Sequence, residues 1–234
     1  MVTIEKKTRI LSVLSIIETG SPDGNYADVS IYADGEPDTT GKPTKQITYG
    51  VHQTTEQGSL NGLIDLYIKK QGVFSKELAS FLPKIGKESL VDNQVFIDLL
   101  KKSALEDPIM KAAQDAFFDK EYYQPALSFF TENGFTYPLS ILVIYDSFIH
   151  SHQIRWDLRN KFAEAVPAKG GDEKVWIKSY TETRHEWLAH HPKQILHKTT
   201  YRTAGFLKQI EEDNWDLPER VLMNGTLSRG GLDG

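Results

Sequence analysis

Apolar residues recur at helical spacing over most of this chain and alternate only in short stretches near its amino terminus. Ile10, Val13, Leu14 and Ile17 share one helical face, which predicts a first helix over about Thr8–Thr19 with Gly20 as its stop. Ala27–Ala33 alternates, with Val29 and Ile31 on one side, and reads as a strand. A polar loop, DGEPDTTGKPTKQ, opens at Asp34–Gly35, and a second strand follows over Gln46–Val51. From Ser59 onward the period is that of helices. Leu60, Leu63, Ile64 and Tyr67 form one face closed by Gly72; Ser75 is expected to cap a short helix ending near Pro83 or Gly86; another helix spans Val91–Leu105. Asp107 followed by Pro108 is a cap and a first-turn proline, a strong helix start. Pro138 opens the most apolar segment, Leu139–His150, whose composition predicts burial on most sides. Asp172 starts a long helix through Trp176, Trp187 and His190, and a last helix is expected from about Lys193 to Asp213. The Gly-rich end, 224–234, is expected to be a mobile tail.

This order gives an α+β class, mainly α, with a small β-hairpin or sheet lining a cleft. At 234 residues the chain has room for one domain of two lobes, a smaller β-containing lobe at about 20–75 and a larger helical lobe from the rest. Apolar residues at 39% and charged residues at 25% are those of a folded globular protein, which argues against disorder. The chain has no cysteine, which excludes disulfides, thiolate nucleophiles and Cys-ligated zinc. Acids outnumber bases by 32 to 27. That balance weighs against nucleic acid as a partner and is compatible with a polycation. No apolar run is long enough to span a bilayer, so no membrane partner is expected. The opening MVTIEKKTRI has no signal-peptide pattern.

The candidate chemistry lies in carboxylates. Glu18 sits at the carboxyl end of an apolar helix, where the dipole and the apolar neighbours both disfavour its charge. Both influences are expected to push its pKa upward, as suits a proton donor; a helix-terminal Glu in water is the plainer reading. A second carboxylate is available from Asp34, Glu36 or Asp38, with Asp34 the best anchored because it directly follows a strand. A turn acid before glycine is also ordinary. Thr48 on the second strand offers a hydroxyl to hold a water. His52 and Glu56 are candidates to line a sugar subsite, and Glu56 also suits the start of the next helix. Asp146 falls inside ILVIYDSFIH, so it needs a buried partner, with Arg184, Arg202 or Arg155 available. Other motifs fail. HEWLAH misses the HExxH spacing, His150 and His152 stand two apart, and no phosphate loop or GxSxG elbow is present. No metal and no cofactor are expected. Trp156, Trp176, Trp187 and Trp215 are mostly core candidates, with one or two suited to sugar stacking.

Several segments in register resemble the glycoside hydrolase family 46 chitosanases, of the lysozyme-like superfamily. They are DPIMKAAQDAFFDKEYYQPAL, TYPLSILVIYDSFIH, SIIETG and ITYGVHQTTEQGSL, and the likeness covers most of Leu11–Asp213. The resemblance implies a lysozyme-like two-lobed fold with the substrate groove between lobes. It implies endo-hydrolysis of β-1,4-linked glucosamine polymers (chitosan) with inversion, by a secreted enzyme; the protein is expected to be a monomer. It casts Glu18 as general acid and Thr48 as the residue that helps position water. Asp146 becomes the buried member of an ion-pair network with Arg184 and Arg202, and Glu56 an acidic sugar-binding residue. The chain departs from the family pattern in the longer loop EPDTTGKPTKQ, so the base is chosen as Asp34 with Asp38 and Glu36 as alternatives. A muramidase of the same fold and a non-catalytic saccharide-binding protein are the competing readings.

Overall fold

The computed structural model describes residues 3–217 and 220–228. The chain divides into two compact units. One takes residues 24–119, and the other takes residues 1–23 together with 120–234.

The 24–119 unit is built on a three-stranded antiparallel sheet. Its strands β1 (Val29–Tyr32), β2 (Gln46–Tyr49) and β3 (Thr54–Thr55) lie in that order. Ser30 stands opposite Thr48 and Tyr32 opposite Gln46. The strands are shorter than their apolar pattern predicts, and Ile31 is 42% exposed, so the β1 alternation does not mark a core face. β2 stops at Tyr49 because Gly50 turns the chain at φ 84°. Its Cβ position lies 2.3 Å from Gln114 Oε1, an oxygen that accepts the next amide, Val51 N, at 3.0 Å. Four helices complete the unit: α2 (Leu60–Lys69), α3 (Ser75–Ala79), α4 (Gln94–Glu106) and α5 (Pro108–Phe118). Ile47, Tyr49, Leu60, Leu63, Ile64, Tyr67, Phe96, Leu100 and Met110 fill the core. The Asp107 cap forms as predicted, accepting Ile109 N at 2.9 Å. Its other oxygen takes the Tyr67 hydroxyl at 2.6 Å and Val73 N at 2.7 Å, tying α2 to the start of α5. Ser75 does not cap α3. It is the first helical residue, Phe74 precedes it, and its hydroxyl is buried without a partner.

The second unit begins with α1 (Ile4–Thr19), which starts earlier than its apolar stripe because Thr3 caps it, accepting Lys6 N at 3.2 Å. A π-helical turn at Asp119–Tyr123 leads into α6 (Gln124–Glu132), followed by α7 (Pro138–Ser151), α8 (Trp156–Arg159), α9 (Glu173–Ala189) and α10 (Thr200–Glu211). α7 is buried at every position from Pro138 to Ser147, as its composition predicts. No side chain of its own caps it. Glu173 from α9 does so instead, accepting Tyr137 N at 2.8 Å and the Ser140 hydroxyl at 2.6 Å, with Thr136 N at 2.9 Å. Trp176 lies at the centre of an aromatic cluster with Phe129, Phe135, Phe162 and Tyr180. The single helix expected over Lys193–Asp213 is two elements. A 3₁₀ segment, Gln194–Thr199, precedes α10. The Thr199 and Thr200 hydroxyls bond back to Leu196 and His197 carbonyls there, and such back-bonding competes with a regular ladder. A hairpin of β4 (Leu222–Met223) and β5 (Thr226–Leu227) closes on Asn224–Gly225, both at positive φ. It occupies the first part of the expected tail; the rest of 224–234 lies outside the described residues.

Candidate active site

Glu18 occupies the last turn of α1, where Gly20 at φ 75° ends the helix and its amide returns to the Ile16 carbonyl at 2.9 Å. The sequence suggests apolar neighbours for Glu18; the structure also brings a cation to its carboxyl. Its Oε1 accepts a hydrogen bond from Arg202 Nη2, and 11% of its side chain is exposed. Arg202 reaches it from the first turn of α10. The preceding residue fixes that turn against α1, since the Tyr201 hydroxyl donates to the Ile17 carbonyl at 2.6 Å.

The same guanidinium serves Asp146. Arg202 Nε donates to Asp146 Oδ1 at 3.0 Å, and Arg184 Nη1 donates to Oδ2 at 2.6 Å. Asp146 is wholly buried in α7. Burial alone would push its carboxyl up, but the Arg202 and Arg184 charges outweigh it and hold it down at about 2. Arg155, the third partner offered by the sequence, lies elsewhere: it pairs with Asp157 at 2.8 Å and stacks over Trp187. His150 joins the network, which the sequence gave no reason to expect. Its Nδ1 lies 3.2 Å from Arg184 Nη2. Burial, then the two guanidiniums, lower its pKa to about 3, so the imidazole is neutral. A guanidinium only donates, so Nδ1 accepts and the ring proton sits on Nε2. The order along this chain of contacts is Glu18, Arg202, Asp146, Arg184, His150.

The other unit carries the loop acids, and their surroundings differ. Asp38 is committed to its own turn. One oxygen, Oδ1, takes Thr40 N at 2.7 Å, the Thr40 hydroxyl at 2.6 Å and Lys42 N at 3.1 Å. Those hydrogen bonds, the Thr40 hydroxyl foremost, lower its pKa. Glu36 is exposed and lines a cavity of about 530 Å³ with Thr44, Lys45, Glu56, Gln57 and Glu88. Asp34 is exposed too, but its Oδ1 accepts Gln46 Nε2 at 3.0 Å. Gln46 and Thr48 alternate with Ile47 and Tyr49 along β2 and therefore share one face. The Thr48 hydroxyl donates to the Ser30 carbonyl at 3.1 Å, which leaves its oxygen lone pairs for another donor. Asp34 is thus tied by a hydrogen bond to the β2 face that carries Gln46 and Thr48.

Glu56 does not stand as a free sugar-facing acid. It is 2% exposed, and both oxygens are taken by backbone amides, Ile47 N at 3.1 Å and Leu90 N at 2.6 Å. It braces β2 against the chain entering α4. His52 is half-buried, packs on Phe118 with ring centroids 4.1 Å apart, and leaves Nδ1 without a partner. Burial lowers its pKa to about 4, so it too is neutral. Of the tryptophans, Trp176 and Trp215 are core, whereas Trp156 is 63% exposed. Among the described residues no group of histidines and acids is arranged to hold a metal ion.

Known proteins share this fold. A chitosanase of Bacillus subtilis strain 168 is 27% identical over 230 residues, covering 91% of this chain and 79% of its own. The native chitosanase of Bacillus subtilis MY002 superposes with a TM-score of 0.80 at 24% identity, covering 98% of this chain and all of its own. The Gynuella sunshinyii GH46 chitosanase, solved in complex with chitotetraose, gives 0.78 at 22%, covering 97% and 98%. The mainly helical fold with a small three-stranded antiparallel sheet and a two-stranded hairpin is therefore the lysozyme-like fold that the motifs imply. The model of glycosyl hydrolase family 46 matches residues 12–220, and the chain belongs to that family of glycoside hydrolases.

Proposed function

We propose that this glycoside hydrolase cleaves β-1,4-linked glucosamine polymers (chitosan) internally and with inversion, with Glu18 as general acid and Asp34 as general base. Its relatives support the substrate: one is a chitosanase and another is solved with chitotetraose. An excess of acids suits a polymer whose amines are partly protonated.

The observation that carries the roles is the contrast among the loop acids. Asp38 is occupied by its turn, while Asp34 is held through one oxygen by a buried side chain adjacent to Thr48. Its second oxygen is the atom assigned to the water. In the reaction Asp34 takes a proton from that water as its oxygen attacks the anomeric carbon. Glu18 gives its proton to the glycosidic oxygen on the other side of the sugar, the C1–O bond breaks, and the new hydroxyl is on the opposite face. Arg202 holds the Glu18 carboxyl in place through Oε1. The same guanidinium stabilises the carboxylate formed when that proton leaves. Thr48 helps to hold the water. Proton exchange with solvent restores both acids. A polymer too large to enter a cell implies an enzyme that works outside it.

The test is Glu18→Gln, assayed for reducing ends on soluble chitosan, with NMR of the fresh anomer from the parent enzyme. Loss of cleavage with an intact fold, and an α-anomer as first product, are expected. Full activity of Glu18→Gln, or clearing of cell walls with no cleavage of chitosan, would overturn the reading.

A further inference from the structure

Gln46 is a glutamine with both ends of its amide engaged. Nε2 donates to Asp34 Oδ1 at 3.0 Å, and Oε1 accepts Gln57 N at 3.2 Å. It is 6% exposed, so the amide is fixed in one orientation by two partners of opposite kind. Gln57 then anchors the loop that carries Asp34. Its Oε1 accepts Glu36 N at 2.6 Å, and its Nε2 donates to the Thr44 hydroxyl at 2.9 Å. Thr44 in turn accepts Gly35 N through its carbonyl at 2.9 Å and donates its hydroxyl to the Glu36 carbonyl at 2.7 Å. The loop thus leaves the sheet and is pulled back to it on both sides of Gly35.

Gly35 makes that closure possible. A Cβ at this position would lie 2.7 Å from Gln57 Oε1 and 2.7 Å from Thr44 Oγ1. Any larger residue forces the Gln57 amide away from the backbone beside Asp34.

We infer that Gln46 is a positioning residue for the base, fixing the Asp34 carboxylate in register with Thr48 through an amide relay that ends on Gln57. The inference rests on Asp34 being the base. Asp34 is an exposed side chain on a loop, and an unsupported carboxylate there samples several rotamers. Gln46 is the one side chain of β2 bonded to it. Because Gln46 and Thr48 project from the same face two residues apart, the base and the hydroxyl that holds its water share one rigid reference.

Gln46→Glu separates the two halves of the amide. The remaining oxygen still accepts Gln57 N, so the loop keeps its anchor, but the donor facing Asp34 becomes a like charge. We expect kcat on chitosan to fall about 30- to 100-fold, the scale of a misplaced catalytic group, with KM not raised and the melting temperature little changed. Gln46→Met, which removes both bonds, should lower kcat by a similar factor. Combined with Asp34→Asn it should add almost nothing, since its effect acts through the residue already lost. A role confined to folding would cost the same in both backgrounds. Should a Gln46 variant fail to fold, Gly35→Ala tests the relay from the exposed loop, with a kcat loss of about tenfold expected from the displaced Gln57 amide. Unchanged kcat in Gln46→Glu, or in Gly35→Ala, beside an inactive Asp34→Asn overturns the inference and leaves the hydrolase reading standing. An active Asp34→Asn removes Asp34 as the base, and with it the premise.

Discussion

The Arg202 guanidinium donates to the Glu18 carboxylate from a position that is itself only 4% exposed. A long cationic side chain is thereby held still beneath an acid at a helix end. Glu18→Gln preserves the acceptor oxygen for that bond while removing the transferable proton. We expect a loss of at least about 10³-fold in kcat, within the range of general acid catalysis, with a melting curve close to that of the parent. Reducing-sugar release and circular dichroism on the same sample check it.

The loop acids should separate sharply on substitution. Asp34→Asn is expected to lose about 10²-fold or more in kcat, whereas Asp38→Asn should stay within a few-fold of the parent. Asp38 accepts three bonds on one oxygen, all from Thr40 and Lys42, so its loss loosens a turn rather than removing a base. Kinetics on a defined glucosamine oligomer distinguish the two.

Asp146→Asn strikes the centre of the buried network. Arg184 and Arg202 would be left without their shared counter-charge, and breaking such a pair costs about 3–5 kcal/mol. We expect a large fall in the urea midpoint. Residual activity should fall further than the folded fraction does, because Arg202 also supports Glu18.

Acid should destabilise the protein before its carboxylates are protonated. An unfolded histidine binds its proton below about pH 6.5, but folded His52 holds none until about 4 and folded His150 none until about 3. Between those values the unfolded chain binds more protons. The stability these groups give is therefore fully present above pH 6.5 and is lost as the pH falls through that window, at up to about 1.4 kcal/mol per pH unit for each group. Depression of the Asp146 pKa adds a further loss below about pH 4. Melting temperatures from pH 7.5 to 4 should fall steadily, and His52→Phe, which keeps the packing on Phe118, should flatten the slope.

Glu56→Ala leaves Ile47 N and Leu90 N without their buried acceptor, so we expect a destabilisation of about 1–3 kcal/mol by urea unfolding. KM of the folded enzyme should move little, in contrast to what a sugar-contacting acid would show.

Helices were legible wherever a long apolar stripe met a strong boundary. Asp107–Pro108, Pro138 and Asp172 all begin helices where the sequence places them, because cap and proline geometry are local. Asp146 was legible for the opposite reason, as a charge inside an apolar run that forces a partner into existence. Its partners were a matter of tertiary contact, and only the resemblance narrowed three arginines to the two that bond it. Gln46 and Gln57 gave no signal, since an amide in a polar loop sequence looks like solvent-facing filler. The period-two relation of Gln46 to Thr48 was the clue available. The burial of Glu56 was not legible, because charge and position in the sequence do not tell an exposed acid from one that accepts buried amides. The Asn224–Gly225 turn was readable as a hairpin, and the surrounding glycines obscured it.

Glu173 and Arg184 lie eleven residues apart on α9, about three turns, which puts them on the same side. One secures the start of α7 and the other secures Asp146 near its end. Sliding α7 along α9 by even one residue would forfeit both attachments at once, so the pair has a single permitted alignment. Drift in the aromatic packing between those two points is then survivable, because spacing along the helices is set by polar pins and not by the fit of rings. Thermal wear should begin elsewhere, and these two segments should be the last to exchange their amide hydrogens.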